Sequence, residues 1–303
     1  MMKKTVLSCM TFILSLFAFA GCSNSESSQM ANELRFSLKG ISSLTISYDE
    51  EKVTFLESDG DDLVIKEYMT ENKSSYYAKV TEHNESIRIS EGGKPFFKNI
   101  FSRSIEVYLP ESYHENLTVT STDGDIDFTG MSLDLTMLRV DNSSGNVTLD
   151  HAAASDIYLS SARGTFDLGS IEANQIRLET TGGSVTCAEL NGNVTYTSSS
   201  GNADIKSAIG SGSYKANNSG SLNVVYSEVN GDLFFFSKNG KITLTLPENL
   251  EFVLQATTKN GSLSTTFQQD ITVDGPTAGG VVGDNPAVTV RVETNNGDIE
   301  VIQ

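Results

Sequence analysis

Side chains able to do chemistry are few in this chain of 303 residues: three histidines, three cysteines and no tryptophan. His83, His114 and His151 are scattered, with no two at the short spacing of a metal-ligating pair. Thr122-Asp123-Gly124-Asp125-Ile126-Asp127 alternates three carboxylates, the oxygen donors calcium takes, but lacks the ligand order of an EF-hand loop and the glycine-rich nonapeptide of calcium β-rolls. Asp127, Asp167 and Asp204 recur with Thr148 and Thr186 between them, a solvated acidic column in which like charges are kept off adjacent strands. A polysaccharide lyase on such a scaffold needs clustered carboxylates holding a metal and a base beside the sugar, and here the carboxylates are diluted. The expectation is a non-catalytic protein with no cofactor and no metal site. With 39 acidic against 21 basic side chains and a formal charge of −18, no phosphate-neutralising surface is available, so nucleic acid is not expected as a partner.

One cysteine does have a chemical role to fill. Lys3 and Lys4 precede an apolar run from Thr5 to Ala20, too short for a membrane span, and the run ends in Phe19-Ala20-Gly21-Cys22. That order resembles a bacterial lipobox, in which small residues precede a cysteine whose thiol receives a diacylglycerol. Phe19 departs from the aliphatic residue usual there, and cleavage by the general signal peptidase is the alternative. Residues 1–21 are expected to leave as a signal peptide, and residues 22–32 to form a polar tether from a lipid anchor at Cys22 on the extracytoplasmic side of a membrane. Cys9 departs with the signal and Cys22 is acylated, which leaves Cys187 alone and excludes a disulfide within the chain.

Internal repetition decides which elements position everything else. Glycines 124, 145, 164, 183, 201, 220, 240, 261 and 297 each follow small polar residues and precede an alternating strand, at spacings of 18–21 residues except for a final gap of 36. Apolar residues stand two and four places after most of these glycines, as in Val147/Leu149 and Ala203/Ile205, and seven and five places before, as in Ile157/Leu159 and Ile176/Leu178. Period-two alternation on both sides of a fixed turn predicts an all-β solenoid with two strands per coil of about 19–21 residues. Cys187 falls in one of the apolar slots and is expected in the core. Three places before each glycine lies a small hydrogen-bonding residue, from Ser121, Asn142 and Ser161 to Thr294. The repeat at Gly220 departs: Tyr214 and Ala216 fall one place out of phase, Asn217 takes the small polar slot, and a bulge or shifted register is expected. Residues 33–110 read as an N-terminal β cap and first coils, keeping the rhythm with Leu44/Ile46, Val53/Phe55 and Leu63/Ile65. Residues 111–303 read as repeats, with a loop at about 268–286. A β-sandwich is the alternative fold, and would need turn signals without a fixed phase.

Ser104-Ile105-Glu106-Val107-Tyr108-Leu109-Pro110, the Ser-x-x-Gly-x-hydrophobic-x-hydrophobic units, Pro247 to Phe252, Lys259-Asn260-Gly261-Ser262 and the terminal Gly297-Asp298-Ile299-Glu300-Val301 resemble the bacterial putative-adhesin β-strand-repeat family, domain of unknown function 4097. The resemblance covers roughly residues 40–303. It implies a β-solenoid in envelope proteins and brings no catalytic residues. From the residues themselves, one outward column stands apart: Tyr158, Arg177, Tyr214 and Phe234, joined by Phe236, are of the types that interfaces favour, although aromatic residues also form good cross-strand ladders on any exposed sheet. Two functions are compatible with these features: a lipid-anchored display or adhesion module that binds an envelope protein or a glycan, and an accessory or sensory lipoprotein of an envelope-stress system.

Overall fold

The computed structural model describes residues 28–96 and 101–303. The expected signal peptide and Cys22 therefore lie outside the described residues. Strands at the N-terminal end are β1 (Gln29–Ser37), β2 (Ser43–Ser47), β3 (Lys52–Glu57), β4 (Asp62–Met69), β5 (Lys79–His83), β6 (Ser86–Ser90), β7 (Arg103–Leu109) and β8 (Asn116–Ser121). The body is made of β9 (Ile126–Asn142), β10 (Val147–Ser161), β11 (Phe166–Thr180), β12 (Val185–Ser198), β13 (Ala203–Ala216) and β14 (Leu222–Ser237). Then follow β15 (Ile242–Thr245), β16 (Phe252–Thr258), β17 (Leu263–Thr265), β18 (Ile271–Asp274), β19 (Thr277–Val282), β20 (Val288–Thr294) and β21 (Ile299–Ile302).

Each body coil is one bent strand of 14–17 residues into which both expected half-strands merge. Coils stack in parallel, with Val147 opposite Phe166 and Ile157 opposite Ile176, and the register slips near the bends, as between Ala173 and Gln175 and between Ile205 and Gly212. Apolar residues in the inward slots, such as Leu149, Leu168, Cys187 and Ile205, are buried, and residues at the bend, including Ile171 and Leu190, add a further inward row. A full Leu or Ile side chain removed from water contributes roughly 1.5–3 kcal/mol, so the repeated rows carry the fold's stability. No coil can bury its row without a neighbour.

The glycine corner is set by contact distance. A Cβ on Gly164 would lie 1.8 Å from the Gly145 carbonyl oxygen, and one on Gly183 would lie 1.9 Å from that of Gly164. Only glycine lets consecutive corners stack. The small polar column is buried beneath it except in the coil at Gly220, where Ala216 takes the slot and Asn217 is exposed, and Ser121, Asn142, Ser161, Ser198, Ser237 and Thr258 bond glycine backbone. The Gly164 N–H donates to Ser161 Oγ at 2.9 Å, and the Gly145 N–H to Asn142 Oδ1 at 3.0 Å.

Five expectations need correction. At Gly220 the extra residue lies in the turn, not in the strand: Ala216 pairs with Ser198 and Ser237, and Tyr214 with Tyr196 and Phe235. Keeping strand phase there leaves Lys215 in solvent, whereas a slip would bury its charge. Tyr214 is consequently a core residue, stacked 4.9 Å from Phe235 at 1° and 6.3 Å from Tyr196, and does not join the outward column. Residues 29–32 of the expected tether belong to β1, which pairs antiparallel with β4. The stretch 268–286 holds the hairpin β18–β19, whose second strand covers β16. The rhythm at Leu63/Ile65 does not extend the parallel stack, since β4 pairs antiparallel with β1 and β7.

Layer order also departs from chain order at both ends. The coil β2–β3 lies between β6–β7 on one side and β8–β9 on the other. At the far end β20–β21 lies between β14–β15 and β16–β17. Gly297 accordingly stacks on Gly240, and Gly261 on Gly297.

Candidate binding face

The strand half that precedes each glycine corner turns one side outward as two columns. The first runs Arg139, Tyr158, Arg177, Thr195, Ser213, Phe234, Arg291 across β9, β10, β11, β12, β13, β14 and β20. The second runs Asp141, Ser160, Glu179, Thr197, Lys215, Phe236, Glu293. Of the expected site residues, Tyr158, Arg177, Phe234 and Phe236 are brought together on this face, and Tyr214 is not. Arg139 and Arg291 complete the column, and both stand six places before a corner glycine, where the repeat alignment could have found them.

Cations bracket the rings. Arg139 lies 4.3 Å and Arg177 5.7 Å from the Tyr158 ring, and Lys215 and Arg291 lie 5.3 and 5.5 Å from that of Phe234. Carboxylates in the second column neutralise the arginines on their own strands: Arg139 Nε donates to Asp141 and Arg177 Nε to Glu179, each at 2.6 Å, and Arg291 to Glu293 at the same distance. The Tyr158 hydroxyl donates to Glu179 at 2.9 Å. Burial and that bond raise the Tyr158 hydroxyl above its ordinary value. Tyr158, Arg177 and Arg139 hold Glu179 below the carboxylate range against the opposing effect of burial. The result is a near-neutral, amphipathic strip on an acidic protein. With seven strands at a spacing of about 4.8 Å it is roughly 29 Å long, and two side chains wide.

The opposite wall is acidic and also internally paired. Lys52 reaches Asp127 at 2.7 Å, Lys206 reaches Asp204 at 2.6 Å, and Asp167 is exposed. Asp125 accepts the Asn146 N–H at 2.7 Å, so this carboxylate ties one coil to the next. Among the described residues no group of three or more His, Cys, Asp or Glu side chains could hold a metal ion, and no helix is long and apolar enough to cross a membrane. His114 bonds the Asp134 carbonyl at 2.8 Å. Cys187 is buried, its thiol pushed up to about 12 by desolvation.

Sequence reasoning missed a buried polar cluster at the N-terminal end. In the first coil Glu51 takes the corner position, its carbonyl meeting Gly124. Arg103 is buried and donates to Glu51 at 2.8 Å, to Glu91, and to the Tyr76 carbonyl at 2.7 Å. Lys94 pairs with Glu91 at 2.7 Å and Glu51 at 3.2 Å. Burial alone would raise the Glu51 carboxyl, but Arg103 and Lys94 outweigh it and hold the group below its ordinary value. The signal was available, since alternation through Ile105 and Val107 places Arg103 on the inward side.

Parallel coils stacked through a glycine corner define a β-solenoid repeat protein. The family model of Toastrack DUF4097 matches residues 41–302, and the chain belongs to that family. No curated protein sequence matches significantly. Among solved structures, a putative adhesin from Bacteroides fragilis is 12% identical, with 89% of this chain and 96% of that one covered and a TM-score of 0.44. A putative lipid binding protein from Parabacteroides distasonis is 10% identical at the same coverages, with a TM-score of 0.46. A putative cell adhesion protein from Clostridium sporogenes is 13% identical, with 90% and 99% covered and a TM-score of 0.32. Likeness at this level carries no argument about what this chain binds.

Proposed function

We propose that this protein is a non-catalytic binding module of the bacterial cell envelope, lipid-anchored through Cys22, which presents the strip from Arg139 to Arg291 to a partner protein or glycan. The observation that carries the reading is the strip itself: aromatic and arginine side chains, the types that dominate binding hot spots, collected on one face of a stiff acidic body. Because the rings are bracketed by cations, they offer edges rather than open faces. The Lys3-Lys4, apolar-run, Ala20-Gly21-Cys22 order supports the anchor.

Two experiments test this. Metabolic labelling with a fatty-acid analogue should mark wild type and not Cys22→Ala; equal labelling of both, or of neither, removes the anchor. For the strip, Tyr158→Ala, Arg177→Ala and Phe234→Ala combined should weaken capture of envelope partners by at least about 2 kcal/mol with the fold intact. The combined Asp127→Asn, Asp167→Asn and Asp204→Asn variant should alter chiefly salt dependence and association rate. If the first variant keeps every partner and the second loses them, the binding surface is the acidic wall. Recovery of a histidine kinase as the partner would instead favour the envelope-stress accessory.

A further inference from the structure

Among the described residues four strands have a neighbour on one side only: β1 on β4, β5 on β6, β17 on β21 and β18 on β19. Strands β17, β18 and β5 hold 3, 4 and 5 residues, and shortness protects an edge from pairing with another chain. Strand β1 has 9. It continues the wall β3–β7–β4 by one more layer, so its open side faces away from the body.

The strand is firmly seated. Asn32 Nδ2 donates at 2.8 Å to the Glu67 carboxyl of β4, which has no exposed surface, while Leu34 and Phe36 pack on the core but stay half-buried. After an irregularity between Met30 and Asn32, the ladder to β4 is unbroken from Asn32 to Ser37. On the opposite side of the strand Glu33 and Arg35 are exposed, and Arg35 is held loosely, 3.6 Å from Glu33 and 3.7 Å from Asp62.

These two charges make the open edge self-complementary. Two antiparallel strands related by a two-fold axis normal to their sheet set residues of the same face opposite one another, so the axis passes beside a single residue position. An axis at Glu33 would set that carboxylate against its own copy, and an axis at Arg35 would do the same with guanidinium groups. At Leu34 both conflicts become attractions. Glu33 then faces Arg35 of the second copy and Arg35 faces its Glu33, while on the other side Leu34 meets Leu34 and Asn32 meets Phe36. All five positions lie in the unbroken part of the strand.

We propose that β1 is a self-recognition edge, pairing antiparallel with β1 of a second copy of this chain about a two-fold axis at Leu34. The N–H and C=O groups on the open side of each strand satisfy one another, the charges set the register, and Leu34 and Phe36 are further covered. Two solenoids then run in opposite directions from their N-terminal ends, with like faces on the same side.

Sedimentation velocity of the full chain in mild detergent reads the association. Wild type should dimerise with a midpoint at or below about 100 μM, as suits a small interface. Arg35→Glu and Glu33→Arg each set like charges opposite one another twice, and each should weaken dimerisation by at least about tenfold. Both residues are exposed, so neither change disturbs the core. An equimolar mixture of the two variants should recover wild-type affinity, since one then offers two carboxylates to the other's two guanidinium groups. The mixed pair carries the same total charge as a wild-type pair, so recovery reads the register and not net charge. Single variants that dimerise as wild type does, or a mixture that stays apart, overturn the proposal. A monomeric wild type overturns it as well, whether residues 1–27 or a strand of another protein is then found on β1.

Discussion

Three glycines that differ in what surrounds them should respond to the same substitution in three different ways. At Gly183 a new Cβ would meet the Gly164 carbonyl oxygen at 1.9 Å, about 1.4 Å short of an ordinary C···O contact of about 3.3 Å. Neighbouring coils would have to separate, stretching the corner bonds from Gly182 N–H to Ala162 and from Thr181 N–H to Ser161, now 2.8 and 3.2 Å. Overpacking costs about 1–3 kcal/mol and each weakened backbone bond about 1 kcal/mol, so Gly183→Ala should cost about 3–5 kcal/mol. Gly130 has open space around it but a φ of 78°, so Gly130→Ala should cost about 1–2 kcal/mol from backbone strain alone. Gly60 has neither constraint, and Gly60→Ala should stay within about 0.5 kcal/mol of wild type or stabilise slightly. Urea unfolding followed by circular dichroism ranks the three. A lower m-value for Gly183→Ala would add that the halves on either side of the damaged corner melt separately. Were Gly183→Ala as mild as Gly130→Ala, the corner would not be closely stacked and the argument from contact distance would fail.

Further outcomes follow from the same geometry. Tyr214→Ala should lower stability by about 3–5 kcal/mol and Lys215→Ala by no more than about 0.5, measured by thermal unfolding, because only the first lies in the core; equal effects would restore the outward assignment of Tyr214. Ile205→Asp should be severely destabilising and Asp204→Asn mild, since Asp204 is a half-buried surface group bonded to Lys206 and Asn223 at 2.6 and 2.8 Å. Cys187, with its thiol raised to about 12, should resist alkylation in native buffer and react in urea; rapid native labelling would show that the coil opens locally. The Glu51 carboxyl is held low, so it contributes stability above its ordinary value that is lost as pH falls through the depressed one. Glu51→Gln should therefore reduce stability at neutral pH and flatten the acid limb of a stability–pH curve.

Repeat phase, corner glycines and the small polar column were legible because each coil imposes the same local demands. The order of layers at the ends was not. Any glycine corner can stack on any other, so nothing within Gly297 or Gly261 says which of them meets Gly240. Tyr214 was misplaced by counting back from Gly220, whereas alternation through Tyr196 and Phe235, together with the cost of burying Lys215, sets the register. Glu67 and Arg103 could have been found by extending the alternation of Leu63/Ile65 and Ile105/Val107, which puts charged residues on the core side. What they bond to depends on the turns at 48–51 and 76–78, whose approach is a tertiary matter. The binding strip was half legible: its column was visible, but the pairing of Arg139, Arg177 and Arg291 with Asp141, Glu179 and Glu293 is an i, i+2 pattern that matters only once the outward face is known.

The interleaved far end sets an order of assembly that the rest of the molecule does not share. Coils β9 to β14 can each settle on the one before. The coil β16–β17 cannot, because its permanent neighbour β20–β21 is made after it. The 37 residues that follow Thr265, up to Ile302, separate the end of β17 from the end of β21. Until those residues are in place, β14–β15 presents an open parallel edge, and β16–β17 is free to occupy the wrong berth directly upon it. Completion then requires an exchange of partners, so the last strands of the sequence become an interior layer, and a chain cut short before them would be a reactive edge rather than a slightly shorter solenoid.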